Sequence, residues 1–180
     1  MEEVQFLRIV QSRVARVAVG ASTVRGRGNA GTVGAARAFL RSIDLTAFST
    51  SDPETLASAL ERITQSLRQA LPETAAHWGI ARKVLNIFIR DCLYNKYLTE
   101  AFDIAEPLLE VPLDSYTATA LGEIEPVGTL PRWPGMRHLT PDISTAFQTV
   151  AAQEAERRGI ARVHLDGLWW SLERDELKGV

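Results

Sequence analysis

The spacing of apolar residues predicts helices along nearly the whole chain. Apolar side chains recur every three or four residues in most segments, and no segment alternates as a β-strand does. Capping residues followed by proline mark two helix starts, at 51–54 (Ser-Asp-Pro-Glu) and at 140–142 (Thr-Pro-Asp), and Gly159 marks a stop. The predicted helices cover about 2–19, 32–43, 53–70, 78–98, 114–121, 141–158 and 161–172. We therefore predict an all-α fold, a compact single-domain bundle of about six to eight helices over residues 1–180.

The segment from Trp78 to Leu98 is predicted to be the central helix. Its apolar residues surround nearly the whole helical wheel, which is typical of a buried helix. At 100° per residue, Lys83, Asn86 and Arg90 nevertheless fall on one narrow stripe, with Asp91 beside them. Since an unpaired buried charge costs several kcal/mol, this stripe should face a cleft, a ligand or fixed partners. For Arg90 and Asp91 we expect structural contacts.

Asp114 precedes a short predicted helix and is well placed to cap its N-terminus. A lysine on a buried helix and an aspartate at the start of the next one form a candidate catalytic pair. Two other readings remain open at this point. Asp114 can serve only as a cap, and the ammonium group of Lys83 can extend to solvent.

Composition limits the classes of function. The net charge is −2, with 46% hydrophobic and 23% charged residues, as in an ordinary globular protein. The single cysteine, Cys92, lies in the apolar helix, which excludes a disulfide framework and favours a reducing, cytoplasmic setting. The three histidines are too scattered to predict a metal site. No signal peptide or membrane-spanning stretch is apparent, and we expect a monomer without a membrane role.

Charge is distributed unevenly along the chain. Seven arginines and no acidic residue lie between Val4 and Ile43, whereas six acidic residues and no basic residue lie between Ala101 and Glu125. The arginines are Arg8, Arg13, Arg16, Arg25, Arg27, Arg37 and Arg41. This asymmetry is consistent with a surface for a phosphate backbone and a separate carboxylate-lined site. Alternatively, the two segments pair with each other.

Two glycine- or proline-rich segments are candidate binding loops. Gly20 to Gly34 contains five glycines before a helix start, where backbone N–H groups can hold an anion, and Asn29 is its best hydrogen-bonding side chain. The alternative is a flexible connection. The pattern lacks the features of a nucleotide-binding loop, so no nucleotide cofactor is expected. The second segment, Glu123 to His138, is predicted to be an ordered loop that Trp133 anchors to the protein body.

Two motifs resemble the core of the helix-hairpin-helix DNA glycosylases. They are KVLNIFIRD, with Lys83 near the start of its helix, and LEVPLDSYTATAL, with Asp114 in a pattern close to that around the family's catalytic aspartate. The long interval between the two residues is nearest to the archaeal-type 8-oxoguanine glycosylase branch. The resemblance covers about residues 71–121 and implies a helix-hairpin-helix core, whose turn at 77–79 would offer N–H groups to a phosphate.

The resemblance implies excision of a base from DNA without a cofactor. Asp114 would stabilise the positive charge that develops on the deoxyribose, and Lys83 would form a Schiff base with the sugar. The base would leave the stack of a duplex or single strand and enter a pocket. Candidates for stacking on it are Trp78, Trp133, Trp169 and Trp170; for hydrogen bonds to its edges they are Asn29, Asn86, His138 and Asp166. Arg25, Arg27 and Arg82 are candidate phosphate contacts.

The identity of the excised base stays open. Oxidised guanine, which would indicate DNA repair, and a hypermodified cytosine of phage DNA, which would indicate antiviral defence, are both compatible with the motifs. A prediction from a different class is a non-catalytic helical module that binds nucleic acid or a protein through its arginine-rich N-terminal region. For Trp169 and Trp170, packing in the core is the competing interpretation.

Overall fold

The computed structural model describes residues 2–20, 23, 31–126 and 128–169, and these residues form a helical bundle without strands. Seven α-helices are joined by short loops and four single 3₁₀ turns. The α-helices are α1 (Glu3–Ala18), α2 (Thr32–Leu40), α3 (Pro53–Ala70), α4 (Trp78–Leu93), α5 (Lys96–Phe102), α6 (Ser115–Ile124) and α7 (Pro141–Arg158). Residues 165–169 are again helical. The predicted all-α class is thus confirmed.

Helix α4 occupies the centre of the bundle. It packs against α1, α2, α3 and α5, and eleven of its sixteen residues are buried. Leu85 and Phe88 are fully buried, and each such side chain contributes about 2 to 3 kcal/mol to folding. This surrounding by other helices explains why apolar residues cover most of the α4 circumference. In the described ranges, no helix has the length and apolar character needed to cross a membrane.

The predicted capping signals operate as expected. Asp52 accepts a hydrogen bond from the Thr55 N–H (2.9 Å) at the start of α3, and Thr140 accepts one from the Ile143 N–H (3.3 Å) at the start of α7. Gly159 ends α7 with a φ of 67°, a left-handed conformation that glycine adopts without a steric penalty.

The predicted central helix is wrong at its C-terminal end. Helix α4 stops at Leu93 instead of Leu98, and α5 begins at Lys96 with Asn95 as its cap, whose side chain accepts from the Leu98 N–H (3.4 Å). Because the chain turns here, Tyr94 and Tyr97 are 56% and 54% exposed instead of buried. The predicted final helix also starts later, since a 3₁₀ turn at Arg162–His164 precedes the helical residues.

Candidate active site

Lys83 and Asp114 lie in direct contact. The ammonium Nζ of Lys83 is 3.1 Å from Oδ2 of Asp114, and the two side chains retain 16% and 18% of their exposure. Lys83 projects from the middle of the central helix, and Asp114 stands at the start of α6. Residues thirty-one positions apart in the chain are therefore brought together at the protein surface. Both side chains keep partial contact with solvent.

The carboxylate of Asp114 is fixed in orientation by the start of α6. Its Oδ1 accepts hydrogen bonds from the backbone N–H groups of Tyr116 and Thr117, both at 3.0 Å. This is the capping arrangement expected for an aspartate at an N-cap. Because capping uses Oδ1, the other oxygen, Oδ2, points to Lys83. The side chain is thus a helix cap, as predicted, and also the ion-pair partner of Lys83.

The segment that precedes Asp114 is anchored on α7. Gln148, a buried residue of α7, receives a hydrogen bond from the Val111 N–H (3.1 Å) and donates one to the Val111 carbonyl (2.8 Å). The guanidinium of Arg162 donates to the carbonyls of Leu109 (2.9 Å) and Leu108 (3.0 Å). The backbone groups of an extended buried segment need hydrogen-bond partners, and these side chains supply them. They hold the backbone that carries Asp114 in one position.

A second group of charged residues lies beside the Lys83–Asp114 pair. Arg90 contacts Asp166 and also donates to Asp91 (2.9 Å), as expected for structural contacts of the central helix. Burial, with a smaller contribution from the negative charge of Asp114, raises the pKa of the Asp166 carboxyl to about 6 against the opposing effect of Arg90. Asp166 is 5% exposed, so it is an interior partner of Arg90 and cannot contact the edge of a base as predicted.

The prediction that Arg82 binds phosphate is wrong. Arg82 is 8% exposed, its Nε lies 3.2 Å from Glu110, and its Nη1 donates to Thr64 (2.9 Å). The Trp78 ring lies under the guanidinium at 5.0 Å and donates its indole N–H to Glu61 (2.9 Å). Trp78 is therefore also committed to the interior and does not offer a free face to a base.

Two more predicted substrate residues are buried. Asn86 is 3% exposed and donates to Glu110 (2.9 Å). Trp169 is 7% exposed, and its carbonyl accepts a hydrogen bond from the Tyr116 hydroxyl (3.1 Å). Trp169 thus follows the alternative interpretation, packing in the core. Both residues support the region around Asp114 instead of facing a ligand.

Trp133 and His138 remain candidates for contact with a substrate. They belong to the loop between α6 and α7, in which His138 is exposed and the half-buried Trp133 ring packs edge-on against Phe147 at 5.4 Å. This contact anchors the loop as predicted. The same loop abuts the start of α4, where a Cβ on Gly79 would lie 2.5 Å from the Met136 carbonyl oxygen. Gly79 is one helical turn before Lys83, so the loop packs against α4 one turn before the lysine.

The phosphate site predicted at the turn 77–79 loses one of its donors, the backbone N–H of His77. The backbone N–H groups of Ala75, Ala76 and His77 donate to carbonyls within the turn itself, at 2.8, 3.2 and 2.8 Å. A donor that is used internally is not free to bind an anion. Asn29, Arg25, Arg27 and Trp170 lie outside the described residues, as does most of the glycine-rich segment.

A cleft of about 860 Å³ opens elsewhere, between α3, α7 and the turns around Pro107 and His164. Lys83 and Asp114 do not line it. Its acidic residues include Glu106 and Glu110. Among the described residues, no cluster of three His, Cys, Asp or Glu side chains is suited to hold a metal ion.

Sequence reasoning missed three residues that support the site, Gln148, Glu61 and Glu110. Gln148 lies in the middle of a helix, where polar residues are usually exposed, and Glu61 and Glu110 resemble ordinary surface carboxylates. Only Glu110 carried a usable signal, because it stands between Leu109 and Val111, two apolar residues that are both buried. A carboxylate in such a segment needs a cation or a donor, which Arg82 and Asn86 supply.

Comparisons with known proteins give no relative: no protein-family model matches the chain, and no curated protein or solved structure resembles it significantly.

Proposed function

We propose that this protein is a DNA glycosylase that excises a damaged or modified base, with Asp114 and Lys83 as its catalytic residues. The proposal rests on one observation above all. The carboxylate and the amine that the sequence motifs single out are 3.1 Å apart, partly exposed and held by surrounding hydrogen bonds.

Asp114 would act on the sugar. When the N-glycosidic bond breaks, its electrons leave with the base and positive charge develops on the deoxyribose. A carboxylate that is already oriented stabilises this charge without a cost of reorganisation during the reaction. The capping bonds of Asp114 provide that orientation, because rotation of the side chain would break the bonds to Tyr116 and Thr117.

Lys83 would act as the nucleophile or would position the attacking water. The ammonium group of Lys83 passes a proton to the base as the base departs with the electrons of the glycosidic bond, and the neutral Nζ that results attacks the positively charged sugar carbon to form a C–N bond. The resulting adduct opens to a Schiff base, which permits strand cleavage. Entry of the sugar between the two side chains would separate the ion pair and free the amine for this step.

The substrate would be DNA with its target base turned out of the stack. The loop that carries the half-buried Trp133 and the exposed His138 packs against α4 one helical turn before Lys83, and an aromatic ring and an imidazole are suitable groups for reading a base. Oxidised guanine and hypermodified cytosine are the two substrates to test. The groups proposed to contact the base are those of this loop, because Trp78, Asn86, Asp166 and Trp169 lie in the interior.

The test is base release from defined DNA. Duplexes that contain one oxidised guanine, and phage DNA that contains hypermodified cytosines, are incubated with the protein, and abasic sites are counted with an aldehyde-reactive probe. We expect abasic sites to form with the wild type and to form far more slowly with Asp114→Asn, which should still bind DNA. Absence of abasic sites from every substrate would overturn the proposal.

Borohydride trapping separates the two roles of Lys83. A Schiff base reduced in place gives a covalent protein–DNA adduct with the wild type, and Lys83→Gln should give none. Base release without any wild-type adduct would refute Lys83 as nucleophile and leave a monofunctional hydrolase dependent on Asp114.

If the protein binds DNA but never releases a base, the non-catalytic binding module is favoured. The observation that supports this second function is the set of exposed arginines on α1 and α2. In the described ranges no ion pair joins these arginines to the acidic residues between Ala101 and Glu125.

A further inference from the structure

Five arginines cover one surface of α1 and α2, which we name the arginine face: Arg8, Arg13, Arg16, Arg37 and Arg41. Four of them are exposed and Arg37 is half-buried. Across the described part of the chain, none of the five forms an ion pair with a carboxylate. Like charges that are gathered without counter-charges repel one another, so such a surface is best satisfied by an external polyanion.

Part of the arginine face is already ordered. Arg37 donates from Nε to the Val19 carbonyl (2.9 Å) and from Nη2 to the Arg16 carbonyl (2.8 Å), which ties α2 to the end of α1. Arg41 donates from Nε to the Arg37 carbonyl (3.1 Å). A groove of about 250 Å³ runs between the two helices. Its lining residues are Ser12, Arg16, Gly34, Arg37 and Arg41.

The length of the arginine face fits a nucleic-acid strand. Arg8, Arg13 and Arg16 lie on the same side of α1 together with Ser12. At a rise of 1.5 Å per residue, Arg8 and Arg16 are separated by about 12 Å along the helix. A DNA strand carries one phosphate per roughly 3.4 Å of its axis, so these side chains span about three to four phosphates.

A lipid surface is the competing partner. Ile9 and Val17 lie between the arginines and are 53% and 72% exposed, which gives α1 some character of a basic amphipathic helix. Two features favour nucleic acid. The arginines line a concave groove instead of a flat band, and this side of α1 has no tryptophan or phenylalanine of the kind that anchors interfacial helices.

We infer that the arginine face binds the phosphate backbone of DNA independently of sequence, as a second contact surface in addition to the Lys83–Asp114 site. The inference rests on the proposed function for the choice of DNA as the polyanion. It adds a way in which the protein holds DNA outside the target nucleotide. Guanidinium groups suit this task because their donors match two phosphate oxygens at once.

The experiment measures binding of the full chain to a fluorescent, unmodified duplex by anisotropy at several salt concentrations. Each phosphate contact contributes about 0.9 to the slope of log affinity against log salt, so loss of three contacts should reduce the slope by about 2.7. The test variant carries Arg8→Gln, Arg13→Gln and Arg16→Gln. Between 50 and 200 mM salt, its fold-loss of affinity should be about 40 times smaller than the fold-loss of the wild type. Its absolute affinity at 50 mM should also be lower.

The matched control removes three positive charges elsewhere, with Arg62→Gln, Arg68→Gln and Lys96→Gln. Its slope should equal that of the wild type, because these three side chains lie outside the arginine face. Equal slopes for all three proteins would overturn the inference, as would binding to phosphatidylserine–phosphatidylcholine vesicles without binding to DNA. Base release is a separate readout. A triple variant that binds weakly but still excises bases at high protein concentration would support both proposals. Salt-dependent binding by the wild type without any excision would support only the arginine face.

Discussion

Gly79 tests whether the loop between α6 and α7 is held against the start of α4. A Cβ at this position would lie 2.5 Å from the Met136 carbonyl oxygen and 2.7 Å from the Leu139 Cβ, distances shorter than any normal contact. One of the two is a backbone atom, so relief requires the loop itself to move. Such overpacking costs about 1 to 3 kcal/mol.

Gly79→Ala should therefore lower the free energy of unfolding by about 2 kcal/mol, which for a chain of this size lowers Tm by roughly 4 to 8 °C. Gly122→Ala is the matched control. Gly122 lies within α6 and a Cβ there would meet nothing within 4 Å, so this change should raise stability by up to about 1 kcal/mol through helix propensity.

Circular dichroism during thermal and urea unfolding measures both variants. The outcome that refutes this reasoning is a Gly79→Ala protein as stable as the Gly122→Ala protein, because the loop would then not be in contact with α4. If the loop also reads the base, Gly79→Ala should slow base release while Gly122→Ala leaves the rate unchanged.

Two further predictions concern groups that support the site. Gln148→Leu should lower the free energy of unfolding by about 2 to 4 kcal/mol, because both polar groups of Val111 lose their buried partner; urea titration should show no comparable loss for the exposed control Gln153→Leu. The pKa of Asp166 is raised to about 6, so its charged form costs stability as pH rises from about 4 to 7. The stability of the wild type minus that of Asp166→Asn should fall by about 3 kcal/mol over this range. A difference that instead increases with pH would show that pairing with Arg90 outweighs burial.

Local sequence signals predicted the helix starts well. Asp52, Thr140 and Asp114 each cap the helix that follows, since capping depends on residues only two or three positions apart. The same kind of signal stands at Asn95, but the apolar pattern continues across it and predicts one longer helix. The break between α4 and α5 shows that a short polar cap can end a helix that hydrophobicity alone would extend.

The sequence does not predict which residues pair with the buried polar side chains. Periodicity placed Lys83, Asn86 and Arg90 on one stripe of the central helix, but it could not tell which of them would meet a ligand and which a fixed partner. Asn86 is matched by Glu110, which stands on a separate segment that folds back onto the helix. The contact between Lys83 and Asp114 was expected only through the resemblance of the two motifs, and the fold independently brings them together.

Abasic-site formation by Asp114→Asn under single-turnover conditions tests the central claim most directly. The control is Asp52→Asn, which makes the same substitution at the N-cap of α3, so that both variants keep a residue able to cap. We predict a rate about 10² to 10³-fold below that of the wild type for Asp114→Asn and an unchanged rate for Asp52→Asn. A full rate for Asp114→Asn would contradict the assignment of this carboxylate to catalysis.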